Sequence, residues 1–164
     1  MLLKPSLTVI FLVMFSNTAS AMSENTCMEA SLVAISGLLP GMNKSSLNKI
    51  NKHISLEITT GEDDGGNYEA LIYHYINHDI TIVRDLIDSI RITSPELLWA
   101  QKIKIGADRN IADKYLIIEP VANDKDSSQY VICSDVGDVY TILRYQSSKI
   151  RSIELVKERP CNSI

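Results

Sequence analysis

Leu39-Pro40-Gly41-Met42-Asn43-Lys44-Ser45-Ser46-Leu47-Asn48-Lys49-Ile50 aligns with Lys104-Ile105-Gly106-Ala107-Asp108-Arg109-Asn110-Ile111-Ala112-Asp113-Lys114-Tyr115, and this internal match decides how the chain is read. In each copy a glycine precedes Asn43 or Asp108 by two positions, and apolar residues follow at helical spacing. That order predicts a turn followed by a capped helix. Downstream, Ser89-Ile90-Arg91-Ile92 matches Ser152-Ile153-Glu154-Leu155. The glycines are 65 positions apart and these endings 63, a nearly constant offset at both ends of a unit.

Between those markers the chain reads as strands. Glu69 to Tyr75, Asp79 to Arg84 and Asp88 to Thr93 are rich in β-branched and aromatic residues, as are Tyr130 to Cys133, Val139 to Tyr145 and Lys149 to Val156. Alternation places Ile90, Ile92, Ile153 and Leu155 on a covered face, and Ser89, Arg91, Ser152 and Glu154 on a solvated one. Residues 24–36 are expected to form an N-terminal helix, Ser94 to Trp99 a short helical turn, and Trp99 a plug between units. The expected fold is α+β: a tandem repeat, about residues 38–93 and 103–156, of a helix plus a three-stranded antiparallel meander, with the helices packed on one sheet face of a single domain.

Working outward to the ends, Lys4, an apolar stretch from Leu7 to Phe15 and Ala19-Ser20-Ala21 have the order of a cleavable signal peptide over residues 1–21. Nine residues are too few to span a bilayer, which takes about 20. The expected mature chain, residues 22–164, is therefore a single secreted domain, periplasmic in a Gram-negative host. The first cysteine is Cys27, so no lipid-anchor cysteine follows the cleavage point. Loss of Lys4 leaves 15 basic against 20 acidic residues, a net charge of −5, with no basic run to hold nucleic acid or anionic lipid. Cys27, Cys133 and Cys161 allow one bridge and one remaining thiol. Cys161 is expected to be bridged, to Cys133 or to Cys27, pinning the C-terminal tail.

A helix after a Gly-x-Asn/Asp turn, a three-stranded meander and a Ser-Ile-x-Ile/Leu ending, given twice, resembles the β-lactamase inhibitor protein architecture. It is also similar to the single-unit small lipoprotein of the outer-membrane β-barrel assembly machinery. The resemblance covers residues 38–156 and implies a binding module that docks a sheet face or loop on another protein.

The acidic, glycine-rich stretch Glu62-Asp63-Asp64-Gly65-Gly66-Asn67 is expected to project as a loop. Its counterpart is Asn123-Asp124-Lys125-Asp126-Ser127-Ser128, and the two are expected at one end of the sheet as a paired binding edge. Candidate partner-binding residues are thus Glu62, Asp63, Asp64, Asp124 and Asp126. Tyr68, Tyr73, Tyr75 and Tyr130 join them, because aromatic side chains are common interface anchors, although packing within the sheet is the favoured explanation of the tyrosines. His74 and His78 are four apart, which on a strand separates them by about 13 Å, so they read as ordinary histidines and not as metal ligands. No nucleophile elbow, phosphate loop or triad order is present.

These features lead to an expected non-catalytic periplasmic protein, without cofactor or metal, that binds and neutralises an envelope-acting enzyme or toxin. A structural accessory of envelope assembly and a metal-dependent hydrolase are the alternatives. The expected partner is another envelope protein, with neither nucleic acid nor a membrane anchor involved.

Overall fold

The structure, a computed structural model, describes residues 27–50, 52–63, 65–116 and 120–157. The expected leader, Asp64 and Cys161 lie outside the described residues. In chain order come β1 (Met28–Glu29), α1 (Ala30–Val33), a 3-10 helix (Lys44–Lys49), β2 (Ser55–Asp63), β3 (Gly66–His74), β4 (His78–Val83) and β5 (Leu86–Ile92). These are followed by α2 (Arg109–Tyr115), β6 (Ala122–Asn123), β7 (Ser127–Cys133), β8 (Val139–Gln146) and β9 (Lys149–Lys157).

All nine strands join one sheet in the order β1-β7-β8-β9-β5-β4-β3-β2, with β6 also on β7. Only the β1–β7 contact is parallel. Every strand read from the sequence is found within a few residues, and Ile90, Ile92, Ile153 and Leu155 are buried as the alternation requires.

The expected fold class is not what forms. The described residues are mostly strand, one mixed sheet with three short helices, and not a tandem of helix-plus-meander units. Ser55–Asp63 adds a fourth long strand to the first half, so that half is not a three-stranded meander. The segment expected as a helix after Asn43 makes only a six-residue 3-10 turn. Ser45, Ser46 and Asn48 bond readily to nearby backbone and make poor helix interiors. The expected N-terminal helix shrinks to four residues, because Met28–Glu29 pairs with β7 and Ile35 pairs with Leu38 across a tight turn. Ser94 to Trp99 contains no helix.

What the two matched segments share is a clasp of backbone hydrogen bonds. Gly41 and Gly106 both take positive φ, at 90° and 87°, which glycine adopts without a Cβ penalty. Their amides donate to Ile87 O at 2.7 Å and Ile150 O at 2.8 Å, and Asn43 and Asp108 pair with Leu86 and Lys149. Each clasp holds its turn against the start of a strand, which is why the sequence match is strong there and weak elsewhere.

The core lies between one sheet face and the short helices and loops. Ile80, Ile82, Ile87, Ile90, Ile92, Leu143, Ile150 and Ile153 are buried from the sheet, with Ile103 and Trp99 from the segment between β5 and α2. Each such side chain contributes about 1.5–3 kcal/mol on burial. Trp99, 1% exposed, donates its indole N–H to Val33 O at 3.0 Å, tying that segment to α1.

A disulfide joins Cys27 to Cys133, with Cα atoms 5.3 Å apart. The expected Cys161–Cys133 bridge is therefore corrected: β1 runs alongside the end of β7, at Glu29↔Cys133, and carries Cys27 to Cys133. With Cys27 and Cys133 joined, Cys161 has no intrachain cysteine left to pair with. A disulfide of this kind marks an exported protein, and no helix among the described residues is long and apolar enough to cross a membrane. Cys27→Ser should lower unfolding stability by about 2–5 kcal/mol, and Cys161→Ser should leave it unchanged, by denaturant titration. A non-reducing peptide map should return the Cys27–Cys133 pair.

Candidate functional site

Because β5 and β9 pair antiparallel, the two expected acidic loops point to opposite ends of the sheet. The register Ser89↔Val156 to Ile92↔Ile153 sets the start of β5 near the end of β9. The β2–β3 tip then projects at one end and the β6–β7 loop at the other. The paired binding edge is thereby corrected to two separate surfaces.

The β2–β3 hairpin is in register from Ser55↔His74 to Asp63↔Gly66. Gly61 is needed because Tyr68 lies across it: a Cβ at Gly61 would meet the phenol ring at 2.5 Å. Arg84 stands over the same ring at 5.8 Å and donates to Asp63 Oδ1 at 2.7 Å, while Gly65 N donates to the same oxygen at 2.9 Å. Asp63 therefore fastens the tip to the β4–β5 turn, and Tyr68 is half-buried beneath it. Glu62 is exposed.

Behind this tip lies β2, the edge strand of the sheet, nine residues paired on one side only. Leu56 and Ile58, with Ile54 just before the strand, are 44%, 60% and 68% exposed. An edge strand of this length, with apolar residues showing, is a template for another chain's strand. Leu56 and Ile58 alternate with Glu57 and Thr59, a period-2 signal that the sequence already carried.

At the hairpin base Tyr73 and Tyr75 line a groove of about 720 Å³ against the 3-10 helix, together with Lys44, Leu47 and His53. His53 meets Tyr73 edge-on with centroids 5.0 Å apart, and Tyr75 stacks on His78 at 4.9 Å. His74 and His78 cannot share a metal, because the pairings His74↔Asp79 and His78↔Ile92 turn them to opposite faces. No group of three or more His, Cys, Asp or Glu side chains among the described residues is disposed to hold a metal ion.

The β6–β7 loop is self-supporting. Asp124 accepts from the amides of Asp126 and Ser127, both at 2.7 Å, and these bonds hold its carboxyl below the usual range. Arg109 donates to Asp124 O at 2.9 Å and to the side chain of Asn123. Asp126 is exposed. Tyr130 is 1% exposed, and burial pushes its phenol up to about 12, so it belongs to the core and not to a surface. The sequence reading passed over Arg84 and Arg109, the two side chains that hold the loops in place.

No family model matches the chain, and no curated protein matches it. Among solved structures, a cysteine-rich secretory protein from Staphylococcus aureus aligns with 80% of this chain and 50% of its own length, at 17% identity and a TM-score of 0.48. The chain thus spans half the length of that protein. The single mixed sheet differs from the expected repeat of helix-plus-meander units, so the resemblance to the β-lactamase inhibitor protein and the assembly lipoprotein is overturned.

The two strand histidines should titrate in opposite directions. His74 Nδ1 donates to Asp79 Oδ1 at 2.8 Å and the ring lies 3.4 Å from Glu57, which raises its pKa above 6.5. Its stabilising contribution is present below 6.5 and is lost as pH rises through the folded value. Burial lowers the pKa of His78, so stability should fall as pH drops below 6.5 and the unfolded chain takes the proton. Ring-proton NMR should place the His74 midpoint above 6.5 and the His78 midpoint below it. His74→Gln should destabilise more at pH 5.5 than at pH 8, and His78→Phe should reduce the acid sensitivity.

Proposed function

We propose that the chain is an exported, non-catalytic binding module that neutralises an envelope-acting enzyme, with β2 as the docking edge. The observation that carries this reading is the nine-residue open edge strand with Leu56 and Ile58 exposed at 44% and 60%. Main-chain hydrogen bonds along such an edge give affinity to an added strand, and alternate side chains give selectivity. The fastened tip and the unbroken β2–β3 register hold the edge pre-organised, which lowers the ordering cost of association. Glu62 at the tip suits a basic rim on the enzyme. The mature protein starts at Met22 and works in the periplasm.

Affinity capture from periplasmic extract with residues 22–164 under oxidising conditions tests this reading. One enzyme should be retained in equal proportion and lose activity, and Ile58→Lys, which places a charge on the edge, should weaken capture at least tenfold. Recovery of assembly components alone, or equal capture by Ile58→Lys, would contradict it.

A further inference from the structure

The face of the sheet opposite the core is uncovered, and at the end away from the β2–β3 tip it forms a trough of about 1050 Å³. Its lining includes Arg91, Lys125, Arg144, Arg151, Asp126 and Glu154. Four of these charges are already answered within the trough, in two pairs: Arg91 lies 3.3 Å from Glu154, and Lys125 lies 3.9 Å from Asp126. Arg144 and Arg151 are exposed and have no partner among the described residues.

A β-bulge brings these two arginines together. Arg144 pairs with Ser152 and Tyr145 with Ile150, which leaves Arg151 as the extra residue beside Ser152 and across from Arg144. Like charges so placed repel, and bulges often re-aim side chains at sites. The bulge itself does not need arginine. The same irregularity in β4–β5 pairs Thr81 with Ser89 and leaves Asp88 as the extra residue. In a chain whose net charge is negative, two adjacent unanswered guanidinium groups point to a missing anion.

We propose that this trough is a second docking site, separate from the β2 edge, that takes an extended protein segment bearing a carboxylate pair. Guanidinium forks match carboxylates bidentately. Tyr145 is the aromatic side chain in the lining, and Ser127 and Ser152 add neutral polar groups beside the two arginines. Asp126 and Glu154 at the margins repel a polyanion such as nucleic acid or an anionic bilayer, and suit a segment whose flanking residues are neutral or basic.

The test uses residues 22–164 and a blocked hexapeptide in which two central glutamates are flanked by lysine and neutral residues. Amide NMR of Ser127 and Ser152 should show saturable shifts that weaken several-fold from 50 to 200 mM salt. They should be absent with the glutamine analogue and at least tenfold weaker in the Arg144→Gln/Arg151→Gln variant. Arg144→Lys/Arg151→Lys, which keeps the charge and loses the fork, should fall between. Ile58→Lys should bind the peptide normally, which separates this site from the proposed enzyme-docking edge. Equal binding of the glutamine peptide, or unchanged affinity in the double glutamine variant, would overturn the proposal. So would inorganic phosphate matching the glutamate peptide, which would make this a small-anion site.

Discussion

The pairing of β5 with β9 is the contact on which the rest of the molecule depends. Four residue pairs, Ser89↔Val156 to Ile92↔Ile153, fuse two groups of strands that would otherwise be separate small sheets. A small sheet with one apolar face is marginal alone, and fusion lets Ile90, Ile92, Ile153 and Leu155 share one core beneath α1, α2 and Trp99. Because the pairing is antiparallel, the two halves are inverted relative to each other. That inversion separates the acidic loops, and it sets Arg91 beside Glu154 across the join at 3.3 Å.

The same arrangement leaves the sheet with unlike edges. At one edge β1 and β6 are two residues each, and the Cys27–Cys133 bridge fixes β1 to β7. Short, stapled strands offer little to an incoming chain. At the other edge β2 runs nine residues with no neighbour among the described residues on its outer side, and its apolar side chains have not been replaced by charge. Natural sheets usually blunt such an edge, and its openness here is what supports the proposed docking of a partner. Arg84, Tyr68 and Asp63 hold the hairpin in shape without covering it.

Much of the sheet was legible in the sequence. The period-2 runs in β4, β5, β8 and β9 are strong because these strands bury one face, and the residues assigned to each face are the residues found there. The helix expected after Asp108 forms as α2, but the one after Asn43 was misread because a glycine, a capping residue and a few spaced apolar side chains mark a clasped turn as well as they mark a helix. Asn43 does cap its turn, accepting from Ser45 N at 2.9 Å, yet no apolar stripe continues the helix beyond Lys49. β2 was passed over because its alternation holds only Leu56 and Ile58 before the strand runs on into Gly61, Glu62 and Asp63, whose acidic, glycine-rich character reads as a loop. The disulfide was misassigned because spacing alone cannot foresee the parallel β1–β7 contact. Tyr130 and Tyr73 show why tyrosines divide only in three dimensions: one faces the core, and the other lines an open groove.

Hydrogen exchange on the isolated protein tests the central claim, a sheet fused at β5–β9 and open at β2, most directly. The account expects alternate amides along Ser55–Asp63 to exchange nearly as fast as free peptide, with the intervening ones slowed by β3. Ser89–Ile92 and Ile153–Val156 should be among the slowest in the chain. Uniform protection along β2, or exchange at β5 and β9 as fast as at β2, would contradict it.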